Sequence, residues 1–230
     1  FSINDVRMTT RIEENYFPGA FGGTLHEGGH ALYEQRVSPA LERTFLAGGA
    51  SLGVHESQSR LWENIIGKSR GFWKFFLPRL REKFPENLSR CSLDDFFRAL
   101  NRVMPSFIRI EADELTYNLH ILLRYELEID LLEDRLQVAD LPAAWNSKMN
   151  EYLGLVPSND AQGVLQDVHW SNGLIGYFPT YTLGNLISAQ IFEKATELQP
   201  EILSAVENGE FLPLLQWLRK NIHWHGRKFT

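Results

Sequence analysis

The sequence holds a single cysteine, Cys91, among 230 residues. A lone thiol cannot close an internal disulfide, so the fold must rest on its core, and the chain fits a reducing compartment. Long apolar runs are also missing. No stretch approaches the roughly 20 residues needed to span a bilayer, and no signal-peptide pattern opens the chain. Positive charge is scarce, with a formal net charge of −6 and a pI near 5.7. That argues against nucleic acid or an anionic membrane as the main partner. Internal repeats, low-complexity tracts and linker-like runs are absent too. Together these absences leave a soluble cytoplasmic protein as the expectation.

What is present favours a packed structure. Hydrophobic residues make up 43% of the chain and aromatics 12%, enough to fold around a core rather than stay disordered. The chain opens on Phe1 without an initiator Met and closes on a basic stretch from His223 to Thr230. We therefore expect a piece of a longer polypeptide. Residues 1–230 read as a single domain.

Residues 5 to 12 alternate, with Val6, Met8, Thr10 and Ile12 on one side and Asp5, Arg7, Thr9 and Arg11 on the other. This pattern predicts a half-exposed strand. After Pro18 the spacing predicts a helix to about Arg36, and Ser51 is placed to cap another running to about Gly67. Amphipathic helices are expected over Gly71 to Lys83 and, capped by Ser92, over Leu93 to Arg102. Pro105 predicts the start of a long helix to about Leu136, and Pro142 a short one ending before Gly154. Residues 154 to 180, rich in glycine, read as loop and turns around a function. Helices over about Thr182 to Leu198 and Glu210 to Asn221 complete a mainly α chain with a small sheet.

His26-Glu27-Gly28-Gly29-His30 has the form H-E-x-x-H. Two imidazoles one turn apart on a helix can reach one ion, and the intervening Glu can take a proton from bound water. Chance produces such a match in about one chain in a hundred of this length, so it needs support. A competing explanation is a capping box from Thr24 to Glu27, unless the helix begins earlier, near Pro18. The metzincin continuation H-x-x-G-x-x-H is absent, since Ala31-Leu32-Tyr33-Glu34-Gln35-Arg36 follows. The remaining solution takes a carboxylate from a second helix. Glu56, in His55-Glu56-Ser57-Gln58, is the candidate; Glu34, one turn past His30 on the same helix, competes with it.

At this point the chain resembles the carboxypeptidase Taq family of metallocarboxypeptidases. Asp5-Val6-Arg7-Met8-Thr9 is similar to its D-x-R-x-T motif, and His26 to His30 to its H-E-x-x-H. His55 to Gln58 is similar to its H-E-S/G-Q, and Ile108 to Asp113 to its I-R-x-x-A-D. Gly163 to Trp170 is similar to its G-x-x-Q-D-x-H-W. The resemblance implies a helical gluzincin-type metallopeptidase fold, with a small β-sheet beside the active-site helix. It implies release of single residues from peptides with a free C-terminus, a homodimer, and Zn2+ or sometimes Co2+ as cofactor. It assigns His26, His30 and Glu56 as ligands and Glu27 as general base, in the C-terminal half of a longer chain.

Other residues carry two readings each. His169 and Tyr181 resemble the His and later Tyr that face a developing oxyanion in related helical metallopeptidases, with Tyr177 between them as a substrate contact; core packing is the alternative. Arg109 offers a guanidinium fork for a terminal carboxylate, or an i, i+4 pair with Asp113. Asp5, Arg7 and Thr9 line the cleft if their strand borders the metal helix, with Arg7 a substrate-binding candidate; otherwise they are an exposed face. Asp167 orients a neighbouring His or turns the chain. His55 lies near the site without being a ligand, His120 reads as structural, and His223 and His225 read as surface residues. Rival functions are an oligopeptidase or dipeptidyl carboxypeptidase of the same gluzincin type, and a zinc-stabilised, non-catalytic binding module.

Overall fold

The computed structural model describes residues 2–14 and 16–229. Phe1 and Thr230, on which the expectation of a longer polypeptide drew, lie outside them. The first helix, α1 (Phe17–Glu34), starts one residue before Pro18, where a missing N–H costs nothing. Thr24 lies inside it and donates its hydroxyl to the Ala20 carbonyl at 2.7 Å, so the capping-box reading of Thr24 and Glu27 fails. Helix α2 (Leu52–Arg60) is capped by Ser51, whose hydroxyl accepts from Val54 N, and runs on into a π-helical turn, Leu61–Ile66. Then come α3 (Arg70–Lys83), α4 (Pro85–Leu88) and α5 (Leu93–Leu100). They are followed by α6 (Tyr117–Leu132), α7 (Leu141–Leu153), α8 (Pro179–Leu198), α9 (Glu201–Glu207) and α10 (Leu212–Asn221). Gly154 closes α7 in the left-handed conformation at φ 68°, which glycine adopts without a Cβ clash.

Two of the expected elements are corrected, and one helix was not expected. The fold is mainly α, but the small sheet is not found: among the described residues there is no strand, only an isolated bridge between Ser2 and Asp5. Alternation over residues 5–12 supplies a two-faced segment, yet a strand also needs a neighbouring ladder for its N–H and C=O groups, and none pairs with it. The helix expected from Pro105 starts only at Tyr117. Asp113 is the cause: its carboxylate accepts from Leu115 N, Thr116 N, the Thr116 hydroxyl and Met104 N, fixing a turn just before α6. Helix α9 was not foreseen, because seven residues carry too little periodicity to show.

The chain divides into two compact units, one of residues 1–100 and 183–230, the other of residues 101–182. The core of the first is built by Leu61, Trp62, Ile66, Trp73 and Leu77 with Ala195, Ile202, Val206, Leu214 and Leu218. That of the second joins Leu123 and Leu127 of α6 to Trp145, Met149 and Leu153 of α7, with Val164. None of the helices is long and apolar enough to cross a membrane, among the described residues.

His223 is not on the surface as expected. It is fully buried in the first unit, its Nε2 sharing a 2.8 Å hydrogen bond with Gln58 Oε1 and its ring 5.0 Å from that of Tyr33. Burial, with Arg36 and Arg219 adding to it, lowers its pKa from 6.5 to about 3. His120, buried in the second unit, is lowered to about 4, chiefly by burial. The unfolded chain takes up both protons near pH 6.5 while the folded chain does not, so stability falls as pH drops below that value. In metal-free protein, urea denaturation from pH 6.5 to 5 should lose up to about 1.4 kcal/mol per pH unit for each histidine. His223→Gln should flatten that slope; an unchanged slope contradicts the assignment.

Candidate metal centre

The site is built around a polar patch on a packed helix. Five consecutive residues of α2, Glu56 to Arg60, are buried although none is apolar. Burying such groups is costly unless each finds a partner. Glycines allow the close approach that encloses them. A Cβ at Gly29 of α1 would lie 2.5 Å from Gln58 O and 2.6 Å from Ser59 Cα, so only glycine lets the two backbones touch. On the other side, a Cβ at Gly184 of α8 would lie 2.5 Å from Glu56 Cγ.

This packing brings His26, His30 and Glu56 together, with one ligand atom of each within 4.8 Å of the others. Glu56 Oε2 is 3.8 Å from His26 Nε2 and 3.7 Å from His30 Nε2. Nitrogen and oxygen ligands about 2.1 Å from a tetrahedral zinc lie about 3.4 Å apart, so each histidine need approach Glu56 by only a few tenths of an ångström. Two neutral imidazoles and a carboxylate suit a divalent ion of this kind. Burial, then His26 and His55, lowers the His30 pKa from 6.5 to about 3, leaving its ring neutral with a lone pair to offer. Glu34, the competing ligand, instead accepts from His55 Nε2 at 2.8 Å and Gly49 N at 3.2 Å.

Groups behind the ligands answer for the rest of the buried polarity. Arg60 Nε donates to Glu56 Oε1 at 2.8 Å, and its NH1 reaches Glu63 Oε2 at 3.2 Å. Glu63 Oε2 also lies 2.8 Å from His26 Nδ1. Burial pushes the Glu63 carboxyl up, but the His26 hydrogen bond and the Arg60 guanidinium outweigh it and hold Glu63 below its usual range. Sequence reasoning missed Arg60 and Glu63. Their signal was faint: polar residues four and seven positions after Glu56 continue one face of its helix.

A cleft of about 450 Å3 opens beside the cluster, lined among others by Val6, Arg7, Glu27, His30, His55 and Arg227. Glu27, half-buried, thus borders the same space as His30, and Arg7 reaches it without belonging to a strand. Arg7 donates to both oxygens of Asp5 at 2.8 Å. Thr9 is exposed and not among the cleft residues.

The second unit gathers the other candidates. His169 Nε2 and the Tyr181 hydroxyl share a 2.9 Å hydrogen bond, and the Tyr177 ring lies 5.3 Å from His169 and 5.5 Å from Tyr181. Arg109 does not pair with Asp113. It is buried, with Nε and NH2 donating to the two oxygens of Asp167 at 2.9 and 2.7 Å, and NH1 donating to the Tyr117 hydroxyl. Burial disfavours its charge, but Asp167 more than compensates and raises its pKa. Asp167 therefore anchors Arg109, rather than only turning the chain. His225 is half-buried, near Phe229.

The sequence matches the model of the family described as Carboxypeptidase Taq (M32) metallopeptidase over residues 1–230. It is 54% identical to thermostable carboxypeptidase 1 of Thermus thermophilus over 98% of this chain and 44% of that one. Carboxypeptidase 1 of Bacillus subtilis is 50% identical over 97% of this chain and 45% of its own length. The crystal structure of the M32 carboxypeptidase of Deinococcus radiodurans superposes with a TM-score of 0.96 at 47% identity, over 100% of this chain and 46% of that chain. The chain thus spans less than half the length of the curated relatives it matches. With an H-E-x-x-H helix, a carboxylate from a second helix and a match along its whole length, the chain belongs to the carboxypeptidase Taq (M32) family of metallopeptidases.

Proposed function

We propose that this chain carries the metal centre of a zinc carboxypeptidase that removes single residues from free peptide C-termini. The observation that carries the reading is the convergence of His26, His30 and Glu56 beside a cleft that Glu27 also lines. A metal ion held there supplies Lewis-acid polarisation and a water of lowered pKa. Glu27 accepts the proton of the attacking water and returns it to the departing amine. Among the described residues three ligands gather, His26, His30 and Glu56, with Cys91 not among them, and an ion so held would keep a position open for water. That open position favours a catalytic site over a zinc-stabilised binding module. Zinc fits the donor set, with cobalt a working substitute.

The roles of the second unit's residues rest on their motifs. Tyr181 and His169, joined by their hydrogen bond, are proposed to donate to the developing oxyanion, and Tyr177 to contact substrate. Tyr181→Phe is expected to lower kcat by about 10²-fold with little change in KM; equal kcat for the two proteins contradicts the role. Arg7, exposed in the cleft, is proposed to recognise the terminal carboxylate; Arg109, whose fork Asp167 takes, is proposed for substrate binding on its motif alone. A homodimer, carried by the family resemblance, a cytoplasmic location, carried by the lone cysteine, and residues 1–230 acting as one catalytic domain of a longer protein are further parts of the proposal.

The test is mass spectrometry of a peptide digested by the metal-loaded protein, as free acid and as C-terminal amide. Loss of one residue at a time from the acid alone supports the proposal. Internal cuts or release of dipeptides point to the oligopeptidase or dipeptidyl carboxypeptidase instead, and equal cleavage of the amide contradicts carboxylate recognition.

A further inference from the structure

Both histidines of the cluster turn Nε2 toward Glu56, which leaves each Nδ1 to be held by something else. The two are held differently. His26 Nδ1 lies 2.8 Å from the buried Glu63 carboxylate. His30 Nδ1 lies 2.6 Å from another imidazole nitrogen, His55 Nδ1, and His55 Nε2 lies 2.8 Å from Glu34 Oε1. This order fixes the protons. A nitrogen beside a carboxylate carries the hydrogen, so His55 Nε2 donates to Glu34. Two ring nitrogens 2.6 Å apart share one hydrogen, so His55 Nδ1 accepts from His30 Nδ1–H. That in turn leaves the lone pair of His30 at Nε2, facing Glu56.

The relay is built in place. Gly49 N donates to the same Glu34 oxygen at 3.2 Å, holding the carboxylate in position. A Cβ at Gly49 would lie 2.6 Å from His55 Cδ2, so a side chain there would displace the His55 ring. The ring also packs on Tyr33, with centroids 5.2 Å apart, and Tyr33 is pinned by Ala50 N donating to its hydroxyl at 3.0 Å.

We propose that Glu34 and His55 are positioning residues acting as one relay, which selects the metal-binding tautomer of His30. Glu63 does the same for His26 by a separate, direct contact. Glu34 is therefore the far end of a chain to the metal and not a ligand. This rests on the reading that His26, His30 and Glu56 hold the metal.

The experiment measures Zn2+ affinity of the chain by competition with a chromophoric chelator, together with the visible spectrum of the Co2+ form. His55→Phe, Glu34→Ala and Glu63→Ala are each expected to weaken Zn2+ binding by about 10–100-fold. The His55→Phe and Glu34→Ala double variant should bind no more weakly than His55→Phe alone, since both break one path, whereas adding Glu63→Ala should multiply the loss. Glu34→Gln, which keeps an acceptor for His55, should recover most of the affinity lost in Glu34→Ala. The Co2+ bands should shift in the His55 and Glu34 variants while metal-free melting stays within a few degrees, which a merely structural role would not produce. If Glu34→Ala and His55→Phe losses multiply, or Zn2+ affinity does not change, the relay is overturned. Glu56→Ala, measured alongside, separates the failures: if it too binds zinc like the parent chain, the site assignment itself is wrong.

Discussion

Glu27→Gln is expected to retain the metal with the affinity of the parent protein and to lose turnover by about 10²–10⁴-fold, the range for removing a general base. The substitution is nearly isosteric and leaves both histidines, Glu56 and the groups behind them untouched. It takes away only the proton acceptor that borders the cleft between His26 and His30 in sequence. Because that loss acts on the chemical step, kcat should fall while KM changes little. Steady-state kinetics on a C-terminal peptide, paired with metal analysis of the same sample, checks it. Activity within about tenfold of the parent protein removes Glu27 from the mechanism.

Gly29→Ala should damage both the packing of the first unit and its metal centre. Its Cβ would meet two backbone atoms of α2, at 2.5 and 2.6 Å, closer than any real contact and with no flexible side chain to yield. The helices must move apart, and the three ligands sit on those two helices. We expect a stability loss of about 3 kcal/mol or more, at the upper end for overpacking, and a Zn2+ affinity at least tenfold weaker. Gly28→Ala is the control, since a Cβ there meets nothing within 4 Å. It should cost little and gain slightly in helix propensity. Thermal melting and zinc competition on both variants read the contrast; equal effects at the two positions would mean that the helices do not touch at Gly29.

The two glycines of the motif explain how much of the site was legible beforehand. H-E-x-x-H announces ligands and base because their chemistry is encoded by residue type and one helical turn. Nothing in that pattern distinguishes Gly28 from Gly29, because the difference lies in which face α2 covers. Glu56 could be proposed from its place on a second helix, but Glu34 stayed a rival until its oxygen was seen on His55 and Gly49. Partners supplied from afar were harder still. Arg109 suggested Asp113, four positions on, whereas Asp167, fifty-eight positions away, takes its fork. His223 looked terminal and superficial, and tertiary packing buries it on Gln58. The alternation of residues 5–12 was a true pattern without the neighbouring strand that turns a pattern into a sheet. Helices whose ends carry chemical signals, at Pro18, Ser51, Ser92 and Gly154, fell where those signals pointed. The start of α6 did not, since Asp113 outcompetes Pro105 by forming the turn.

Zinc titration of the chain and its Glu56→Ala variant, followed by a competing chelator, tests the metal centre most directly. The parent chain and Glu27→Gln should each bind one equivalent with equal affinity, and Glu56→Ala should bind at least 100-fold more weakly while keeping its helical circular dichroism. Equal affinity in Glu56→Ala and the parent chain would contradict the assignment of His26, His30 and Glu56 as the site.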